Sequence, residues 1–378
     1  MTISFRALAN SGVRNLTPYQ PGKPVEELER ELGIVSSIKL ASNENPLGAS
    51  KKAIAAAQEA LLNAHVYPDG NCFELKQQLA SVLAVNPEQI TLGNGSENVL
   101  ELIVKAYLQQ NNSAVISQYA FLTIPLLIAS YGATINVAPA TEWGHDINAM
   151  INAIDDHTRV LFLVNPNNPT GTYINADDFR TLMDSVPPHI LVVIDEAYFE
   201  YKQNADYPNS LESLDQYPNM VIVRTFSKIY GLAALRLGYA ISSIEIADIL
   251  NRARLPFNVN TIAAKAGCAA LGDQEHVKAS LLLNQQGMQQ IELHLQKWGI
   301  NTIPSMGNFV TFEVENAAQI YQKLLLEGVI VRPLNAYDMP NHIRVTIGTQ
   351  EQNARFLTAL QKILFAVTPA TDTVSDIA

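Results

Sequence analysis

Along the middle of the chain, short runs of apolar and β-branched residues alternate with longer stretches in which apolar positions return every three or four residues. AVIS, TINVAP, RVLFLVNP, ILVVIDEAY, MVIVRTFS and LGYAIS are runs of the first kind, each closed by polar or turn residues. A strand that is apolar throughout needs cover on both faces, and strands of that kind separated by helices predict a mainly parallel sheet between two helical layers. KKAIAAAQEALLNA reads as an Ala-rich helix, and FELKQQLASVLA as another by its spacing. QITLGNGSENVLELIVKAYL reads as strand, tight glycine turn and helix.

After about Asn260 the pattern changes. A long helix is expected from His276 to Trp298, followed by strands GNFVTFEV, GVIVRPL and HIRVTIG, with helix AAQIYQKLLLEG between the first two and QEQNARFLTALQKILF at the end. The fold class expected is therefore α/β, a central sheet with helices on both faces plus a smaller α+β lobe. Residues 1–45 are expected to form an N-terminal arm and part of the small lobe, 46–270 the large lobe, and 271–366 the rest of the small one. The tail at 367–378 is polar, lacks periodicity and is expected to fray.

Composition narrows what such a fold does. The 378 residues carry 25 Lys and Arg against 36 Asp and Glu, a net charge of -11. Neutralising a phosphate backbone needs clustered Lys and Arg, so a nucleic-acid partner is not expected. Cys72 and Cys268 form no CxxC pair, and the scattered histidines form no HxH or HxxxH pair, so neither a redox centre nor a metal site is expected. No run approaches the roughly 18 apolar residues of a membrane span, and the first twenty residues carry no apolar leader core. A soluble, cytoplasmic protein acting on small molecules is the expectation.

Ligands in open α/β sheets sit beyond the carboxyl ends of the strands, and the polar anomalies of this chain fall there. Leu92 is followed by GNGSE, Val164 by NPNNPTG, Ile194 by DEAY and Val223 by RTFSK. GNGSEN resembles the opening of a dinucleotide fingerprint, but Asn98 stands where the third glycine belongs and no suitably placed acid follows, which argues against NAD. What remains is either a plain turn or a helix start that offers backbone N–H groups to an anion. Asp195 ends an apolar strand, so its carboxylate asks for a cationic or protonated partner, either a neighbouring side chain or a ligand. In NPNNPTG, turn chemistry accounts for Asn167 and Asn168, while Asn165 at the strand end is placed to donate into the cleft.

Lys228 is the sharpest anomaly, because a lysine at the end of a buried strand costs burial energy without a partner. A desolvated amine in a cleft is a nucleophile toward an aldehyde. Pyridoxal 5'-phosphate needs such a lysine, an anion beside its ring nitrogen, and donors for its phosphate. Asp195 supplies the anion, Asn165 and Tyr198 would hydrogen-bond the phenolic oxygen, and Gly95, Ser96, Ser227 and Arg236 would hold the phosphate, with Glu97 in the same turn.

NPNNPTG, DEAY and SK followed by an arginine eight residues on resemble the fold-type I, pyridoxal-phosphate-dependent aminotransferases over nearly the whole chain. NLTPYQPGKP, ASNENPLG, YPDG, RTFSKIYGLAALRLGY and IRVTIG, in that order, are similar to the histidinol-phosphate aminotransferase branch. The resemblance implies Lys228, Asp195 and Tyr198 as catalytic residues. It implies that Tyr119 stacks on the cofactor ring, and that Tyr67 reaches the cofactor phosphate of a neighbouring subunit in a homodimer. Tyr19 would close over substrate, Asn43 leads into the site, and Arg332 and Arg344 would bind the substrate anion. The implied reaction is amino transfer between L-histidinol phosphate and 2-oxoglutarate, yielding imidazole acetol phosphate and glutamate, in histidine biosynthesis. An aromatic amino acid aminotransferase of the same fold, or a threonine-phosphate-type decarboxylase, is the alternative. A regulator built on this fold would need a DNA-binding module ahead of it, for which the arm has no room.

Overall fold

A computed structural model describes residues 4–18 and 21–365 of the chain. Its larger sheet is built from β1 (Ile90–Gly93), β2 (Ser113–Ser117), β3 (Thr134–Ala138), β4 (Thr158–Val164), β5 (Leu191–Asp195), β6 (Met220–Thr225) and β7 (Gly238–Ser242). They lie in the order β1-β7-β6-β5-β4-β2-β3. Only β7 runs antiparallel to its neighbours, β1 and β6; the other pairs are parallel. The doubly apolar runs have the physical basis expected of them. Leu161, Leu163, Val192, Ile194, Met220 and Ile222 pack into the core on one face. Their immediate neighbours Val160, Phe162, Leu191, Val193, Val221 and Val223 pack into the core on the other. This is the two-residue alternation of a strand with both faces covered.

The helices that matter here are α1 (Lys51–Leu61), α2 (Ser96–Tyr107), α3 (Thr261–Leu271), α4 (Gln274–Lys297), α5 (Ala317–Leu326) and α6 (Gln350–Leu364). A second, antiparallel sheet contains β8 (Thr302–Ile303), β9 (Phe309–Glu313), β10 (Arg332–Pro333) and β11 (His342–Thr346), in the order β8-β9-β11-β10. Its apolar face packs with α5 and α6 into a separate core that holds Val310, Phe312, Leu324, Val345 and Phe356. Leu40 joins that core, and Ile38–Lys39 pairs in parallel with Val329–Ile330. One helix joins the two regions: Val277 of α4 packs under the large sheet, while Ile291 and Leu295 pack with the small one.

The run GVIVRPL is not one strand. Val329–Ile330 pairs with the N-terminal segment, and Arg332–Pro333 moves to the edge of the small sheet beside β11. An edge is where a residue lacking an N–H is tolerated. The long helix begins two residues before the expected start, at Gln274. No helix among the described residues is long and apolar enough to cross a membrane. The polar tail lies outside the described residues.

Candidate active site

The carboxyl ends of β4, β5 and β6 and the turn after β1 open on one cavity, closed on its far side by the small sheet and by residues 41–43. Asp195, Tyr198, Ser227 and Lys228 line it from the large sheet, and Arg332 and Arg344 from the small one. Lys228 lies three residues beyond β6, and its Nζ donates to the Ser42 carbonyl at 3.3 Å, 5.6 Å from the centre of the Tyr198 ring. The turn that carries it is fixed by Gly231, whose φ is +69 and where a Cβ would stand 2.1 Å from the Gly48 carbonyl oxygen. Only glycine combines that backbone with that approach.

Asp195 is 4% exposed. Burial pushes its carboxyl up from 3.8 to about 7, against the opposing effects of a hydrogen bond from the Ala197 N–H at 3.1 Å and the charge of Lys228. A carboxyl held in that state favours any cation or N–H donor brought within reach. Tyr198 is buried, and its hydroxyl accepts from the Asn43 side-chain amide at 2.8 Å. Asn43 is itself fixed by bonds to Thr346, from its own N–H at 2.9 Å and to its side-chain oxygen at 3.1 Å.

At the N-terminus of α2, Gly95 occupies the cap with φ +88 and gives no side-chain cap. A Cβ there would lie 2.6 Å from Nη2 of Arg236, so the glycine lets the guanidinium close over the turn. Arg236 reaches Ser227 Oγ at 3.5 Å and Glu97 Oε2 at 3.2 Å. Ser96, Ser227, Arg236 and the open helix end therefore gather donors at one end of the cavity, an arrangement suited to an anion. Glu97, placed with the cofactor-binding residues by the sequence, faces this cluster as the ion-pair partner of Arg236. At the opposite end Arg332 and Arg344 stand directly across from each other on β10 and β11. Like charges at such positions repel, and an anion between them relieves the repulsion.

Three positions differ from the sequence reading. Asn165 does not line the cavity: its side-chain oxygen accepts the Ile174 N–H at 3.0 Å, and its carbonyl accepts the Tyr207 hydroxyl at 2.6 Å. Asn168, read as loop scaffolding, lines the cavity instead and accepts from Arg344. The chain reverses within NPNNPTG, so the strand-end residue faces into the fold and the residue beyond the reversal faces the cleft. Tyr119 likewise packs beside Trp143, with ring centres 5.4 Å apart, and the aromatic of this segment that lines the cavity is Phe121. Tyr67 lies outside this chain's cavity, 80% exposed and stacked on Phe257 at 4.9 Å. Tyr19 lies outside the described residues.

A second polar feature stands behind the cavity. Arg224 of β6 and Glu196 form an ion pair at 2.7 Å, with side chains 3% and 0% exposed. Ser210 also donates to Glu196, and the guanidinium lies 3.6 Å from the centre of the Phe199 ring. The sequence signal was a lone arginine inside MVIVRT.

The sequence profile of aminotransferase class I and II matches residues 35–360. The chain belongs to that family. Among curated proteins, the aminotransferase is 53% identical to histidinol-phosphate aminotransferase 2 of Pseudomonas fluorescens strain Pf0-1, over 96% of this chain and 99% of that one. It is 51% identical to histidinol-phosphate aminotransferase 2 of Pseudomonas aeruginosa, over 95% and 98%. Among solved structures it superposes on histidinol-phosphate aminotransferase of Sinorhizobium meliloti, in complex with pyridoxal 5'-phosphate, with a TM-score of 0.87. That match covers 95% of this chain and 98% of the other at 27% identity.

Proposed function

We propose that this aminotransferase transfers the amino group of L-histidinol phosphate to 2-oxoglutarate, giving imidazole acetol phosphate and L-glutamate in histidine biosynthesis, with pyridoxal 5'-phosphate as cofactor. The single observation that carries the reading is the convergence of Lys228, the Asp195 carboxyl, an anion cradle and an arginine pair on one cavity. The donor set fits the cofactor. Asp195, pushed up to about 7 by burial, lacks the cationic N–H that a protonated pyridine would bring. Gly95 leaves the space in which Arg236, Ser227 and Ser96 close on a phosphate.

When bound, the cofactor supplies an electron-withdrawing ring that stabilises negative charge at the substrate carbon. Asp195 would keep that ring cationic, and Asn168 and Tyr198, which line the same cavity, would bind its phenolic oxygen. Phe121, which lines the cavity, would pack on the ring face. Lys228 Nζ would take the proton from the substrate carbon as general base. Arg344 and Arg332 orient the substrate by its anion. An arginine fork pairs with a phosphate or a carboxylate alike, so one site serves both half-reactions. Asn43 lines the substrate side, and the family resemblance assigns Tyr19 to substrate binding as well.

The working unit in this reading is a two-fold dimer in the cytoplasm. Leu62, Val66, Tyr67, Phe73 and Leu255 are all more than half exposed, on or beside the turn after α1 and the approach to α3. In the proposed dimer a second copy would cover these side chains. In a second copy's cavity the Tyr67 hydroxyl would reach the cofactor phosphate. The two thiols, Cys72 and Cys268, are unpaired, as a reducing compartment keeps them.

Turnover of purified protein with histidinol phosphate and 2-oxoglutarate, set beside phenylalanine and tyrosine, tests the reading. A kcat/KM for histidinol phosphate at least tenfold above the aromatic donors supports it. The reverse order makes the protein an aromatic aminotransferase, and carbon dioxide release without a keto product makes it a decarboxylase.

A further inference from the structure

Thr311 is a hydroxyl in the middle of the strand FVTFE, between Val310 and Phe312, and is fully buried. Burying a hydroxyl costs free energy unless it is hydrogen-bonded. Its Oγ1 donates to the carbonyl of Pro169 at 2.6 Å. Two other facts give that bond a consequence. Thr311 is the cross-strand partner of Arg344, and Arg344 donates to the side chain of Asn168, the residue before Pro169.

The loop between β4 and Ile174 is thus gripped from both sides. From the large sheet, the Tyr207 hydroxyl holds the Asn165 carbonyl at 2.6 Å, and the Asn167 amide holds the Tyr119 carbonyl at 3.0 Å. From the small sheet, the Met306 N–H holds the Gly171 carbonyl at 2.8 Å, and Thr311 holds Pro169. We propose that Thr311 is a positioning residue: its hydroxyl fixes Asn168 against Arg344, and so sets the spacing between the two ends of the cavity. It touches neither cofactor nor substrate and acts only through those two side chains.

Thr311→Val removes the hydroxyl at nearly constant shape, and Thr311→Ser keeps it. In the cofactor-free chain, hydrogen exchange at Asn167 and Gly171, whose N–H groups are bonded within the loop, reads the grip. We expect about tenfold faster exchange in the valine chain and none of that change in the serine chain. In the holoenzyme, which rests on the function proposed above, KM for histidinol phosphate should rise about tenfold in the valine variant and return to within about twofold in the serine variant. Exchange and KM unchanged by valine, or serine as impaired as valine, would overturn the proposal. If the valine chain fails to accumulate, Thr311→Ala carries the same comparison. If the unsubstituted protein does not turn over histidinol phosphate, the reading of function falls, and the exchange comparison still decides on Thr311.

Discussion

Without cofactor, Asp195 carries a stability cost that depends on pH. Its carboxyl is raised from 3.8 to about 7, chiefly by burial at the end of β5. Below the lower value both folded and unfolded chains hold the proton. Between the two values the unfolded chain has released it and the folded chain has not, so stability falls as pH rises through that window. Above the upper value both are ionised and the loss is complete. A rise of that size corresponds to about 4 kcal/mol. Asparagine keeps the shape and does not titrate. The stability of Asp195→Asn relative to the unsubstituted chain should therefore improve by up to about 4 kcal/mol between about pH 4 and about pH 8. Urea unfolding of both cofactor-free chains across that range measures the difference, and cancels the other titrating groups, which the two share. Parallel pH profiles would refute the reasoning. Added pyridoxal 5'-phosphate should flatten the slope of the unsubstituted chain, because the ring cation gives the carboxylate its partner.

Arg344→Lys keeps the charge and loses the planar fork, so KM for both substrates should rise by about tenfold or more while the visible absorbance of the bound cofactor stays unchanged. Steady-state kinetics beside the spectrum check this. Glu196→Gln removes the carboxylate that is ion-paired with the buried Arg224 guanidinium, leaving only the weaker influence of Glu200, and should cost about 3 kcal/mol of stability, read by calorimetry. Replacing both partners by apolar residues of similar volume should recover most of that loss. Tyr67→Phe should weaken cofactor binding about tenfold with no change in sedimentation if, as proposed, its hydroxyl reaches the cavity of a second copy.

The large sheet was legible because each of its inner strands is apolar on both faces, rich in β-branched residues and bounded by turn residues; apolar content alone would not have sufficed, since the equally apolar run TIPLLIAS is a helix, Thr123–Ser130. The strand ends were equally legible: a carboxylate after LVVI and a lysine after VRTFS have no place in a core without chemistry. Less readable was direction. Asn165 and Asn168 are chemically the same residue, and which of them meets the cavity depends on where the chain reverses between them. Tyr119 and Phe121 pose the same problem two residues apart, on a segment that had left its strand and no longer alternated regularly. The role proposed for Thr311 had no local signal, since its acceptor lies 142 positions away in sequence. Arg224 was visible as an oddity in a strand, but its partner Glu196 looked like the unremarkable neighbour of Asp195.

Borohydride treatment of the holoprotein, followed by peptide mapping, tests the central assignment most directly. The account predicts one mole of cofactor-derived mass per chain, fixed to Lys228 in the peptide containing TFSKIYG. Label on any other lysine, or no label on a protein that still turns over histidinol phosphate, would contradict it.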